Sequence, residues 1–95
     1  MAVYFIVNSH ITDPDQLAEY RSVVGPTFEG HDYKLLVSYD ESIAIEGTPA
    51  GERTVVLEFP DREAFEAWYH SDAYQAVIGL RRNATEGFAI LAEGR

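Results

Sequence analysis

Residues 54–75, TVVLEFPDREAFEAWYHSDAYQ, decide the fold of this chain. The stretch begins with Thr54–Phe59, a run of alternating β-branched and apolar residues that predicts a strand. Asp61 then offers a side-chain oxygen as the N-cap of a helix, which we expect to end near His70. A strand and a helix therefore follow each other through a tight connection.

The same stretch contains the start of a second helix. Ser71 and Asp72 offer another cap, which predicts a helix from Asp72 to about Asn83. Helical spacing predicts a core stripe on it, formed by Ala73, Val77, Leu80 and Ala84. Arg81 lies beside that stripe with Tyr74 and Ile78, so an arginine is expected at the edge of a mostly apolar face.

Before this stretch, the chain begins with a strand and a helix. The apolar run Val3–Val7 predicts a buried strand that needs cover on both of its faces. Asp13 as cap and Pro14 as first residue predict a helix that runs to about Phe28. Gly25-Pro26 predicts a kink or an early end in this helix, because proline lacks a helical donor.

Three further segments have strand patterns. Tyr33–Tyr39 alternates, with one face formed by Tyr33, Leu35, Val37 and Tyr39. A second strand is expected directly after it around Ile43 and Ile45, followed by a loop at Gly47–Gly51. Phe88–Leu91 predicts the last strand.

This order of elements is typical of the split βαβ, or ferredoxin-like, arrangement, an α+β fold. We expect one domain spanning residues 1–95, with an antiparallel sheet and helices on one face. Apolar residues occur on both faces of nearly every strand, so the open face needs a cover. A second copy packed sheet to sheet would supply it, which predicts a homodimer.

Composition excludes several classes of function. The formal net charge is −9 with a pI of about 4.5, so the chain repels nucleic acid and anionic membranes. There is no cysteine, so no disulfide, thiol nucleophile or thiolate metal site is expected. No long apolar segment or signal-type start is present, which predicts a cytoplasmic protein. The histidines show no ligand spacing, so we expect neither a metal nor a cofactor.

Several motifs also carry a family likeness. These are Thr12-Asp13-Pro14-Asp15, Ala18-Glu19-Tyr20-Arg21, Glu46-Gly47, Glu58-Phe59-Pro60-Asp61, Ala67-Trp68-Tyr69-His70-Ser71-Asp72-Ala73-Tyr74-Gln75 and Leu80-Arg81. Together they resemble the family called domain of unknown function 1330, within the dimeric α/β-barrel superfamily. Asp32-Tyr33-Lys34 departs from the Gly-Gly pair that members often carry, so we expect a different entry into that strand.

The resemblance implies a ferredoxin-like dimer but no particular activity. Relatives in the wider superfamily include cofactor-free monooxygenases, small lactone isomerases and haem enzymes, all with a pocket between sheet and helices. The resemblance therefore indicates where a ligand would bind rather than which ligand it would be.

Arg81 is the first candidate for a catalytic role. Its guanidinium group is suited to bind a carboxylate or enolate bidentately inside a pocket. The alternative is a structural ion pair with Glu58, and both roles are compatible if the pair lines a cavity.

The other candidates are aromatic and polar residues. Trp68, Tyr69 and Tyr74 combine apolar area with one polar group and are expected to bind ligand, unless they are simply core. Asn8 and His10 share a face of the first strand and are expected to project into the same cavity. His10 would act there as a general base, whereas the alternative is a polar pair facing solvent. The expected ligand-binding set is Asn8, Tyr20, Glu58, Trp68, Tyr69 and Tyr74.

Two functions follow from these candidates. The first is a cofactor-free enzyme that binds a small anionic or aromatic metabolite between sheet and helices. The second is a non-catalytic homodimer, either ligand-binding or purely structural, in which the same residues pack the core.

Overall fold

A computed structural model describes residues 1–95 and contains four strands and three α-helices. In chain order the elements are β1 (Val3–Ile11), α1 (Pro14–Val24), a short 3₁₀ helix (Gly25–Phe28), β2 (Lys34–Tyr39), β3 (Arg53–Phe59), α2 (Arg62–Tyr69), α3 (Asp72–Arg82) and β4 (Thr85–Glu93). The neighbouring strands β1 and β4 are longer than the apolar runs predicted, because polar residues continue the pairing between them.

The four strands form one antiparallel sheet in the order β2-β3-β1-β4. In this register Val7 of β1 lies opposite Val55 of β3 and Ala89 of β4. The helices cover one face of the sheet, and the fold is α+β and ferredoxin-like, as predicted. The other face carries no helix, and we refer to it as the open face.

Side-chain caps begin all three α-helices where the sequence predicted them. The Asp13 carboxylate accepts the Gln16 N–H, and the Asp61 carboxylate accepts the Ala64 N–H. The Ser71 hydroxyl accepts the N–H of Tyr74. These bonds satisfy backbone donors that have no partner within the helix. The predicted early end of the first helix is also confirmed, since α1 stops at Val24 and a 3₁₀ turn follows.

The core lies between the helices and the covered face of the sheet. Trp68 and Tyr74 are its largest fully buried side chains. Its other buried apolar members are Val3, Phe5, Val7, Leu17, Tyr20, Leu57, Phe59, Phe65, Ile78 and Ala84.

None of the helices has both the length and the apolar character needed to span a lipid bilayer.

The predicted stripe on α3 is partly wrong. Ala73 is exposed and Val77 is only half-buried, whereas Tyr74 and Ile78 are buried against the core. The helix is therefore rotated so that the large aromatic side chain fills the core and the alanine faces solvent. This rotation also turns Arg81 inward.

Two strand predictions are wrong. The residues around Ile43 and Ile45 form no strand, and these side chains are 80% and 83% exposed within the long connection between β2 and β3. The register of β2 shifts between Leu35 and Val37, which marks a β-bulge. One extra residue reverses the alternation, so Val37 lies on the opposite face from Leu35.

Candidate functional site

A cavity of about 250 Å³ lies between the covered face of the sheet and the helices. Phe5 and Val7 of β1 line its floor, and Leu57 of β3 continues it. The period-2 alternation of the strands places these three side chains on the same face. Eleven of the seventeen lining residues are hydrophobic, so the cavity suits a ligand with a largely apolar body.

Stacked aromatic rings form one wall of the cavity. The rings of Trp68 and Phe28 are 4.6 Å apart and inclined by only 10°, and Tyr33 stacks on Phe28 at 4.1 Å. The indole N–H of Trp68 donates to the hydroxyl of buried Thr27 over 3.1 Å. This bond fixes the orientation of the Trp68 ring relative to the 3₁₀ helix.

A chain of hydrogen bonds joins two tyrosines and an arginine at the cavity. The Tyr20 and Tyr74 hydroxyls are 3.0 Å apart, and Arg81 Nε donates to the Tyr74 oxygen over 3.3 Å. The pKa of Tyr20 is raised far above its ordinary value. Burial is the largest cause, and contact with Tyr74 is the second. Tyr20 therefore remains a neutral phenol at physiological pH.

Arg81 carries a positive charge without a carboxylate partner. Arg81 takes part in none of the protein's five ion pairs. The only side-chain hydrogen bond of Arg81 is the one to Tyr74. Burial opposes the charge, but the Tyr74 oxygen outweighs it and the pKa of Arg81 is raised. Arg81 also lines a second, more polar cavity of about 570 Å³ next to β4. It is therefore a half-buried cation with access to two cavities.

Two further arginines line the main cavity and share one carboxylate. Arg53 is buried, and its Nη1 lies 2.6 Å from Oδ1 of Asp40. Arg21 Nη2 lies 2.6 Å from the other oxygen, Oδ2. Burial raises the pKa of Asp40, but the hydrogen bonds from Arg21 and Arg53 outweigh this effect and hold it below its ordinary value. Asp40 is therefore ionised, and each of its two oxygens bonds one arginine.

The structure brings part of the predicted set together. Tyr20, Trp68, Tyr74 and Arg81 line the main cavity. Tyr69 lines only the second cavity. The expectation that Asn8 and His10 project into the same cavity is wrong, because the strand positions lining it are Phe5, Val7 and Ser9, on the other face of β1.

The Asn8 side chain instead holds the end of the long connection. Its amide nitrogen donates to the carbonyl oxygens of Gly51 and Arg53, at 3.0 Å and 3.1 Å. Its amide oxygen accepts the N–H groups of Ala50 and Gly51. These bonds account for the polar character of Asn8 without a ligand.

His10 and Glu58 also lie on the open face. His10 Nδ1 is 2.9 Å from a carboxylate oxygen of Glu52, and the His10 side chain is exposed. The alternative role of Arg81, an ion pair with Glu58, is wrong. The Glu58 carboxylate instead accepts from the Tyr4 hydroxyl, and its other oxygen lies 3.9 Å from Lys34 Nζ. Neither residue is in the cavity where the sequence placed it.

Three polar residues that line the cavity, Arg53, Arg21 and Ser9, were not among the predicted site residues. A signal for two of them was present, since Arg53 continues the face of Val55 and Ser9 continues the face of Val7. Arg21 belongs to the Ala18-Glu19-Tyr20-Arg21 motif of the family likeness, but its position on α1 next to the buried Tyr20 did not indicate a site. No group of three or more His, Asp or Glu side chains is arranged to hold a metal ion.

Comparison with protein families gives one match over nearly the whole chain. Residues 2–95 match a family described as Domain of unknown function, DUF1330. A search of curated proteins found no match.

Solved structures with a similar fold include a protein of unknown function, RPA0582, from Rhodopseudomonas palustris. It has a TM-score of 0.79 at 18% identity, covering 99% of this chain and 82% of that one. A dimeric ferredoxin-like protein of unknown function from Thermobifida fusca has a TM-score of 0.67 at 15% identity, covering 99% and 92%. SnoaB from Streptomyces nogalater, described as a cofactor-independent oxygenase, has a TM-score of 0.64 at 13% identity, covering 99% and 93%. At these identities the likeness extends to the fold alone.

Proposed function

The chain belongs to the DUF1330 family of unknown function, and from its cavity we propose that it binds a small aromatic anion between sheet and helices. Arg81 holds the carboxylate or enolate group of the ligand. The aromatic wall of Trp68 and Phe28 packs against the ligand's ring.

The observation that carries this proposal is the unpaired charge of Arg81. Only Nε of the half-buried Arg81 side chain has a hydrogen-bond partner in the protein, so its two Nη groups have no carboxylate or hydroxyl to bind. An anionic ligand would supply the missing partner, and the planar guanidinium favours a bidentate contact with a carboxylate or enolate.

We propose further that the bound anion is a substrate rather than only a ligand. An enolate held by Arg81 is stabilised electrostatically, and the bonded pair of Tyr20 and Tyr74 hydroxyls has one O–H left to donate beside it. One structural neighbour is described as a cofactor-independent oxygenase. Oxygen consumption with phenols and quinols that bind is therefore the first turnover assay. Binding without turnover would instead favour a ligand-binding module.

The test is a thermal-shift screen followed by calorimetric titration with aromatic carboxylates, phenols and quinones. We expect Arg81→Met, which keeps an apolar stem, to weaken binding about tenfold to a hundredfold, the loss typical of a charge-assisted hydrogen bond. Arg62→Met is the matched control, since Arg62 is exposed on α2 and pairs only with Glu66. Equal affinity in wild type and Arg81→Met would overturn the proposal.

The proposed functional unit is a homodimer formed through the open face. Ile90 and Phe88 of β4 are about half exposed on this face, and half-buried Ile6 and Val56 lie beside them. Exposed apolar surface of this kind is unfavourable in water and typical of an interface. The description of the Thermobifida fusca neighbour as dimeric supports a dimer for this fold.

A further inference from the structure

Asp40 lines an outer depression of the surface that adjoins the cavity. Arg21 and Ser38 line both the cavity and this shallow depression, whereas Asp40 lines the depression only. Each Asp40 oxygen is 2.6 Å from a different arginine that lines the cavity. The carboxylate thus lies outside the cavity and offsets one of the two positive charges in this part of its wall.

This arrangement divides the cationic groups of the cavity into two kinds. Arg21 and Arg53 are already bonded to a carboxylate, whereas Arg81 is free to accept one. A ligand with one negative charge finds its partner in Arg81. A second negative charge on the ligand would approach Arg21 and Arg53, but repulsion from the Asp40 carboxylate offsets part of their attraction. The remaining attraction is then too weak to compensate for the desolvation of the second carboxylate.

We propose that Asp40 is a specificity-determining residue, a built-in counter-ion that restricts the cavity to singly charged aromatic anions. The inference rests on the proposed function, since it assumes that the cavity binds an aromatic anion at Arg81. Removal of the Asp40 charge leaves Arg21 and Arg53 able to bind a second carboxylate, so the preference shifts toward doubly charged ligands.

The probes are benzoate and its three dicarboxylate analogues, phthalate, isophthalate and terephthalate, which place the second carboxylate at different separations. Calorimetric titration of wild type is expected to favour benzoate over every dicarboxylate. In Asp40→Asn, at least one dicarboxylate gains about tenfold in affinity relative to benzoate, a size reasonable for one partly screened charge pair. Glu46→Gln is the control. Glu46 lies in the same connection and is exposed, and its carboxylate forms no ion pair.

Arg21→Gln provides a second variant with the opposite expectation. Arg21 is exposed, so its loss is tolerated by the fold, and Asp40 is then balanced by Arg53 alone. The cavity becomes less positive, and the preference for benzoate over the dicarboxylates should increase. This variant keeps the test decisive if Asp40→Asn fails to fold.

The outcomes separate the two proposals. Benzoate binding with the same ratio to dicarboxylates in wild type, Asp40→Asn and Arg21→Gln overturns the role of Asp40 and leaves the proposed function standing. A wild type that prefers a dicarboxylate also overturns it. If no aromatic anion binds any form of the protein, the proposed function fails and this inference fails with it.

Discussion

At the scale of single residues, the pair of His10 and Glu52 joins β1 to the end of the long connection. Glu52 accepts from His10 through one oxygen and from the Ile11 N–H, at 3.1 Å, through the other. The hydrogen bond to Glu52 raises the pKa of His10, and Glu86 on β4 adds to this effect. The bond from His10, with backbone donors, lowers the pKa of Glu52 to about 2.

The pair predicts how stability depends on pH. The contribution of Glu52 is present above its ordinary pKa of 4.5 and disappears as pH falls toward about 2. The contribution of His10 is present below its ordinary pKa of 6.5 and disappears as pH rises through its raised value. The melting temperature of His10→Gln should therefore fall below that of wild type most strongly between pH 4.5 and 6.5.

Thermal melts over a pH series provide the measurement. His70→Gln serves as control because His70 is an exposed histidine without an ion pair. A wild-type advantage over His10→Gln that stayed constant well above neutral pH would contradict the assigned titration.

Residue alternation predicted which side chains share a face but not which face the helices cover. Val3, Phe5 and Val7 were correctly separated from Tyr4 and Ile6. Because both sets are apolar, the sequence did not indicate that the cavity lies on the first face, and the cavity was expected on the face of Asn8 instead. The joining of Tyr20 to Tyr74 depends on the packing of α1 against α3, which local patterns do not contain.

At the scale of elements, two glycines have opposite roles. A Cβ added at Gly87 of β4 would overlap the carbonyl oxygen of Asn8 and lie 2.6 Å from the Cα of Ser9. A Cβ at Gly79 of α3 would meet only the Asn83 side chain, at 4.0 Å. Strand β4 therefore needs glycine at this position, whereas the helix does not.

We expect Gly87→Ala to destabilise the protein by about 2 kcal/mol or more, because the β1–β4 pairing must shift. Gly79→Ala should stabilise it by about 0.5–1 kcal/mol, since alanine loses less backbone entropy in a helix. Urea denaturation of both variants provides the comparison. The account would be wrong if Gly87→Ala were as stable as wild type.

Element boundaries were predictable where a side chain marks them. Asp13, Asp61 and Ser71 bond to the backbone within three residues, so local sequence contains the whole interaction. The bulge in β2 depends on its pairing with β3, and for that reason the faces of Val37 and Tyr39 were predicted wrongly.

At the scale of the whole molecule, the proposed dimer depends on the open face. Ile90 is 50% exposed in the single chain and lies opposite Ile6. We expect Ile90→Lys to raise the dissociation constant of the dimer at least about tenfold, because a lysine charge would be buried without a partner. The fold should persist, since the site is half exposed in the monomer.

Sedimentation velocity over a concentration series measures this change. Ala18→Lys on the exposed side of α1 is the control for added charge. If wild type sediments as a monomer at a protein concentration of tens of micromolar, the proposed dimer is wrong. The apolar open face would then have no explanation.

The bulge between Leu35 and Val37 has a consequence for the kind of assembly that this molecule can form. Strand β2 is a rim of the sheet, where an uninterrupted ladder of backbone groups would invite a neighbour's strand and then another, in an open-ended ribbon. The bulge breaks that ladder. Contact through a face, by contrast, is completed by a single partner, so the proposed dimer would be a closed pair rather than a link in a filament.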